Sequence, residues 1–467
     1  RQAIAEGVLE WNKAFEKIGF RNAIQAPIEP EDAPMDLAGL KHASIRWFVD
    51  SDDGALAIGP SVVDPRTGEI LDADIAISDN WARLSRRVAR EQTAGPVRGA
   101  HAGHDHSADS GLRGREGAIG DGPACTYAGD AMAELDFTLG LLQARGDFDP
   151  DSPQAEEIVA QVLKDVVMHE VGHTLGLKHN FKGSTVYTRA QLQDKAFTEQ
   201  NGTSGSVMDF NAANLAIAGE RQGSMINNTL GPYDYWAIEY GYTGGDTKEV
   251  LKRVAEPELV YATDEDTSGP DPLARRYDMA ANSIDYANAQ MELARYHRGR
   301  LLEKFVQDGQ SWSRVRKGYN ITLGLQMRSL SMTARWVGGT YVNRDRKGDP
   351  NARSPIQVVA PAQQRAGLKW CIDNTFKDEA FGLTPEMLDK MTVDKWSDEG
   401  GWQDTMADAP YPVHDQIAGI QSSALTMLMN PTTLRRVYDN EFRTPANEDA
   451  LTLPELMGTI SDSIWSE

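Results

Sequence analysis

No stretch restricts this chain as tightly as Met168-His169-Glu170-Val171-Gly172-His173-Thr174-Leu175-Gly176-Leu177-Lys178-His179-Asn180. His169 and His173 are four residues apart, so on a helix they share one face and can aim two imidazoles at one point. Glu170 lies one position round the helix from His169, close enough to hold a water at that point without displacing it. Gly176 marks the expected end of the helix, because glycine accepts the left-handed conformation that terminates helices at little cost. The chain can then turn back and present His179 as a third nitrogen. Three imidazoles with a fourth tetrahedral position left for water are the donor set of one catalytic Zn2+ ion, not of a structural one.

The sequence before the motif supports a rigid helix. Ser152 reads as its N-cap, Pro153 as its first turn, and Glu156 and Glu157 suit the positive end of the helix dipole. Ile158, Val159, Val162, Leu163, Val166 and Val167 give it a broad apolar face. Residues 127–145 read as another helix through Met132, Leu135, Leu139 and Leu142, and residues 3–19 as an opening helix through Ile4, Val8, Leu9, Trp11, Phe15 and Ile18. Residues 80–91 read as a basic helix.

Strand patterns fill the interval between. Residues 44–49 alternate, and residues 56–63 form a second strand interrupted at Gly59-Pro60. Proline lacks the ladder N–H, so this strand belongs at a sheet edge or at a bulge. Asp64-Pro65-Arg66-Thr67-Gly68 is a strong turn signal, after which the chain returns with Leu71, Ala73, Ile75 and Ile77 on one face. Ile58, Gly59, Pro60 and Ser61 are therefore candidates for an edge to which an extended peptide adds as a further strand. From Gln92 to Pro123 there is little to bury. His101, His104 and His106 lie there, but a solvated insertion loop fits better than a metal-gathering tract, because flexible loops do not hold ligands in fixed geometry.

The spacing of His169, Glu170, His173, Gly176 and His179 resembles the signature of the metzincin metallopeptidases. Ser206-Val207-Met208-Asp209-Phe210 is similar to their methionine-containing turn, and Tyr233-Asp234-Tyr235-Trp236-Ala237-Ile238-Glu239-Tyr240-Gly241 to the helix that closes their catalytic domain. Gly59-Pro60-Ser61, residues 64–70 and residues 206–209 carry a narrower likeness, to the large bacterial zinc-dependent metalloproteases with an EcxA-like catalytic domain. The resemblance implies an α+β fold: a small twisted mixed sheet with an active-site helix and a C-terminal subdomain over 1–243, with 92–123 as a flexible insertion, then a mainly helical domain over 244–467. It implies a zinc endopeptidase that acts on protein or peptide substrates, is secreted or held in the periplasm or cell envelope, and uses Glu170 as general base with Met208 as packing beneath the metal. In astacin- and serralysin-like members a tyrosine two residues after the methionine reaches the metal site. Here that position is Phe210, which leaves Tyr187 and Tyr233 as candidates for a second oxyanion donor. Two alternatives stay open: a catalytically silent binding protein with the same shell, and a zinc hydrolase of another amide or ester. The intact Glu170 argues against the first.

With 47 basic and 69 acidic residues the net charge is -22, which disfavours nucleic acid and anionic membrane as partners. No apolar run approaches the length of a membrane span. Cys125 and Cys371 are far apart, and two unrelated buried thiols fit better than the one disulfide they could form. The chain opens at Arg1 inside a helical pattern, as expected of the body of a longer precursor. Beyond Thr243, helical periodicity marks roughly 285–306, 311–331, 358–376 and 414–442, with Gly338-Gly339-Thr340-Tyr341 as a turn into a short strand. Asp264-Glu265-Asp266 is compatible with calcium but reads better as a solvated acidic loop.

Overall fold

Apolar residues at helical spacing give α1 (Gln2–Glu10) and α2 (Asn12–Lys17) in the computed structural model of the chain. The expected single opening helix is divided at Trp11, whose indole is fully buried and donates to Met168 O at 3.0 Å. The structure describes residues 1–28, 43–49, 57–59, 61–79, 127–145, 152–217, 219–393 and 409–465. Pro60, the basic helix at 80–91, the insertion at 92–123 with its three histidines, Cys125 and the Met132 side chain lie outside the described residues.

Four strands form the main sheet: β1 (Ser44–Phe48), β2 (Ala57–Ile58), β3 (Ser61–Val63) and β4 (Ile70–Ser78). β4 is central, with β1 parallel on one side and β2 and β3 antiparallel on the other. The interrupted strand is thus an edge, as its proline required, and among the described residues no strand pairs with its outer side. The register shifts between Val62 and Val63. Ile75 and Ile77 are buried beneath the sheet, whereas Leu71, at the far end of the same face, is exposed.

Two helices pack beneath β4: α3 (Tyr127–Arg145) and α4 (Pro153–Thr174). Ile158, Val162, Val166, Val167, Met168 and Val171 of α4 are buried in one core with Val8, Trp11, Ile75, Ile77, Leu135 and Leu139. Each such side chain contributes about 1.5–3 kcal/mol by leaving water, so α4 is held along its length. Gly7 lets α1 lie flush on it, since a Cβ there would come within 2.8 Å of Val167 Cγ1 and 2.9 Å of Lys164 O. The expected serine cap is not made. Ser152 has the extended backbone of an N-cap, but the first turn closes through Ala155 N–H donating to Ser152 O.

Downstream come α5 (Pro232–Tyr242), α6 (Ser283–Arg298), α7 (Ser313–Ala334), α8 (Pro361–Thr375), α9 (Val413–Met429), α10 (Pro431–Arg443) and α11 (Leu453–Trp465). The expected helix over 414–442 is split because Asn430 accepts from Thr433 N–H and caps a new helix that begins at Pro431. The helix expected from 358 begins later, since β6 (Ile356–Val358) first pairs with β5 (Thr340–Val342). α11 has no counterpart in the sequence reading. Cys371 of α8 is a buried free thiol, pushed up to about 12 by burial. No helix among the described residues is long and apolar enough to cross a membrane.

The α+β reading holds: a small mixed sheet and its helices, then a mainly helical half. The two are joined across the expected 243/244 boundary, because Leu293 and Ala294 of α6 and Leu325 of α7 lie in the same core as α4. A second core of Leu330, Trp370, Leu428 and Val437 lies within the helical half.

Candidate metal centre

His169 and His173 leave the buried α4 near its C-terminus, where a tight turn reverses the chain. Leu177 N–H donates to Gly172 O at 3.0 Å and Gly176 N–H to His173 O at 2.9 Å, the paired bonds of a Schellman turn. Gly176 sits at φ 91°, a conformation that costs glycine little. His179 follows two residues after this turn and faces back on the first two histidines.

The three rings converge. Their centroids lie 4.7 Å apart for His169 and His173, 4.8 Å for His173 and His179, and 5.3 Å for His169 and His179. Each Nδ1 has an oxygen partner: Val207 O at 2.8 Å for His169, Leu177 O at 3.0 Å for His173, and Asp264 Oδ2 at 2.8 Å for His179. Carbonyl and ionised carboxylate oxygens only accept, so each Nδ1 carries a proton, which leaves Nε2 as the ring nitrogen that can offer a lone pair to a metal. His173 Nε2 and His179 Nε2 are 3.2 Å apart, and one ligand atom from each of the three histidines lies within 4.8 Å of the others. Burial, then the neighbouring imidazoles, hold His169 well below the ordinary histidine range and His173 down to about 4. Neutral imidazoles whose lone pairs face one another in a desolvated site repel unless a cation lies between them. Three nitrogen donors in that geometry fit Zn2+.

The surroundings fix this arrangement. Met208 is fully buried, and a Cβ on Gly172 would overlap its Sδ, so the methionine packs against the helix between the two histidines. Asp234 of α5 pins the turn that carries Met208, accepting from Ser206 Oγ at 2.7 Å, Val207 N–H at 2.8 Å and Gly231 N–H at 2.9 Å. Asn180 N–H donates to Met208 O at 2.9 Å and ties the His179 loop to the same turn. Tyr127, Phe181 and Phe210 flank the imidazoles, with Tyr127 4.3 Å from His169, and Phe181 and Phe210 each 5.0 Å from His179. The Tyr127 hydroxyl donates to Asp165 Oδ2 at 2.5 Å, one helical turn before His169.

Glu170 is buried beside His169, and the edge strand meets it. Gly59 packs against its main chain and carboxylate. Ile58 pairs with Ala76 and Ser61 with Ala73, so of the strand residues named from sequence these two flank Gly59 on the same side of β4.

The two candidate tyrosines belong to other clusters. Tyr187 donates its hydroxyl to Asn201 O at 3.2 Å and sets its ring edge-on to Phe197. Tyr233 stacks on Tyr261 at 5.4 Å, in a cavity lined also by Trp236 and Arg344. The acidic turn at 264–266 does not gather its carboxylates around a calcium position either. Asp264 faces His179 and Arg276, Asp266 accepts from Thr263 N–H and from Arg344, and Glu265 lies outward near Lys178. Asp264, Asp234 and Tyr127 are therefore site residues that motif spacing did not supply. Asp264 is 85 residues from His179, and no local pattern connects them.

The model of the Met-zincin family matches residues 151–467, more than half of the chain, and includes the three histidines and the methionine turn. No curated protein and no solved structure matches. Membership in that family implies chemistry of the zinc metallopeptidase type, for which the converging imidazoles supply the metal-binding donor set. On the extent of this match and the geometry of its histidines, the chain belongs to the Met-zincin family.

Proposed function

We propose that the protein is a zinc-dependent endopeptidase that hydrolyses peptide bonds of extended protein or peptide substrates. His169, His173 and His179 are the metal ligands in this reading, and Glu170 is the general base. The observation that carries it is the convergence of three imidazoles beside a buried glutamate against which packs a sheet edge that pairs with no other strand among the described residues. Zn2+ bound there supplies an acidified water and a Lewis acid for the carbonyl. Glu170 takes the proton of the attacking water and returns it to the leaving amine. The outer side of β2 and β3 binds substrate main chain as an added strand, which needs no free terminus. Val62 and Val63 leave that edge exposed to apolar side chains of a bound peptide.

Main-chain recognition of this kind is indiscriminate, which favours the secreted or envelope location that the resemblance implies. Fractionation of the source cells tests that location. The activity is tested with fluorogenic peptides, one blocked at both ends and others with a free amine or carboxylate. The blocked peptide should be cut internally, a chelator should abolish cleavage, and Zn2+ should restore it. Cleavage confined to terminal residues of the unblocked peptides overturns the endopeptidase reading.

A further inference from the structure

Of the three histidines, His169 and His173 donate Nδ1–H to backbone carbonyls, which are present whenever the chain folds. Among the described residues, His179 is the one whose Nδ1 faces a side-chain carboxylate, and it lies on a loop and not on α4. That carboxylate comes from Asp264, in a short 3-10 turn (Asp264–Ser268) well beyond the motif. The turn is internally braced, since Thr263 N–H donates to Asp266 Oδ2 at 2.8 Å.

Asp264 is held in turn. Its Oδ1 accepts from Arg276 Nη2 at 3.0 Å while Oδ2 faces His179. The Arg276 guanidinium lies over the Phe181 ring at 4.8 Å and the Phe210 ring at 5.0 Å, the two rings that flank His179. His179, Asp264, Arg276 and the two phenylalanines therefore close a circuit around one ligand. The Arg276 guanidinium beside it favours the charged form of the Asp264 carboxylate. A charged acceptor on Nδ1–H fixes the ring orientation and makes Nε2 more basic towards a metal. Phe210 is thus a platform for the guanidinium.

We propose that Asp264 is the positioning residue for His179 and that Arg276 positions Asp264, so that the metal centre is completed by a turn downstream of the motif. This rests on the zinc reading above and adds to it a determinant of metal affinity outside the signature.

The test is the zinc dissociation constant of the full chain, measured by competition with a chromophoric chelator and without substrate. Parent, Asp264→Asn, Asp264→Ala, Arg276→Gln and Glu265→Gln are compared, together with melting of the metal-free forms. Loss of such a partner costs metal affinity about 10–100-fold. Asp264→Ala should lie at the upper end of that range, with Asp264→Asn and Arg276→Gln weaker than parent by roughly tenfold. Glu265→Gln, in the same turn but facing outward, should match parent. The visible spectrum of Co2+-loaded Asp264→Asn should also shift, which a merely structural role would not cause. Asp264→Asn is nearly isosteric, so it decides the question if the alanine variant does not fold. An Asp264→Asn chain that binds zinc within about twofold of parent and leaves the Co2+ spectrum unchanged overturns the proposal. A parent that binds zinc and cleaves no peptide overturns the peptidase reading alone.

Discussion

Gly59 lies directly against Glu170: a Cβ on Gly59 would come within 2.7 Å of the Glu170 carbonyl oxygen and 3.2 Å of its Oε2. The edge strand and the proposed base are thus a single contact apart, and only a residue without a side chain fits between them. In the proposed binding mode, a peptide laid along the outer side of the strand would lie beside the metal site.

Gly59→Ala should therefore displace the edge strand while leaving the three imidazoles in place. Overpacking of this kind costs about 1–3 kcal/mol. We expect kcat/KM on a blocked peptide to fall about tenfold or more, with zinc affinity unchanged. Parent-like turnover in this variant would separate the strand from substrate binding.

Glu170→Gln should keep Zn2+ and the fold but lose turnover by about 10²–10⁴, the usual contribution of a positioned general base. His179→Ala should instead lose the metal, because the site drops to two protein ligands. Metal content by mass spectrometry beside steady-state rates distinguishes the two, and equal rates for parent and Glu170→Gln would remove the proposed base.

Gly172→Ala places a methyl group onto Met208 Sδ and within 3.0 Å of Trp11 Cζ2. Both neighbours are fully buried, so neither can move freely. Destabilisation of about 1–3 kcal/mol is expected, read as a lower urea midpoint. Met208→Leu should be milder, since it conserves volume. A midpoint for Gly172→Ala equal to that of the parent would show that the methionine turn is looser than its packing indicates.

Burial pushes the Asp165 carboxyl up from 3.8 to about 7, against the hydrogen bonds from Tyr127 and Asn227 and the nearby Lys164. The folded chain thus holds this proton more tightly than the unfolded chain does. Raising the pH from about 4 to about 7 removes it from the unfolded state first, so this group's contribution to stability is present at low pH and lost across that window, a change on the order of 4 kcal/mol. Asp165→Asn cannot titrate, so urea unfolding of the metal-free protein should show a smaller decline from pH 4.5 to 7.5 in the variant than in the parent. Identical slopes would place the proton elsewhere.

The ligands were legible because their geometry is local. A four-residue helical step, a glycine turn and a third histidine all lie between 169 and 179, and the turn formed as glycine at that position requires. The edge strand was legible through Pro60 alone. Asp264 and Arg276 were not, because a carboxylate that meets an imidazole across tertiary structure leaves no spacing to read. The surroundings of Tyr187 and Tyr233 were not legible either, because packing partners such as Phe197 and Tyr261 are not revealed by sequence order. The break at Asn430-Pro431 carried a local signal, an asparagine cap before a first-turn proline, that the apolar periodicity on either side obscured.

The loop bearing His179 is tied by backbone to chain made much later. Phe181 N–H donates to Ala262 O, Arg275 N–H to Phe181 O, and Tyr277 N–H to Phe210 O. On the ribosome, the motif emerges well before the residues that fix its third ligand. A nascent chain therefore carries the three histidines without the scaffold that aligns the last of them. Order of synthesis alone places completion of the His179 surroundings after the stretch around Tyr277 has left the exit tunnel and docked.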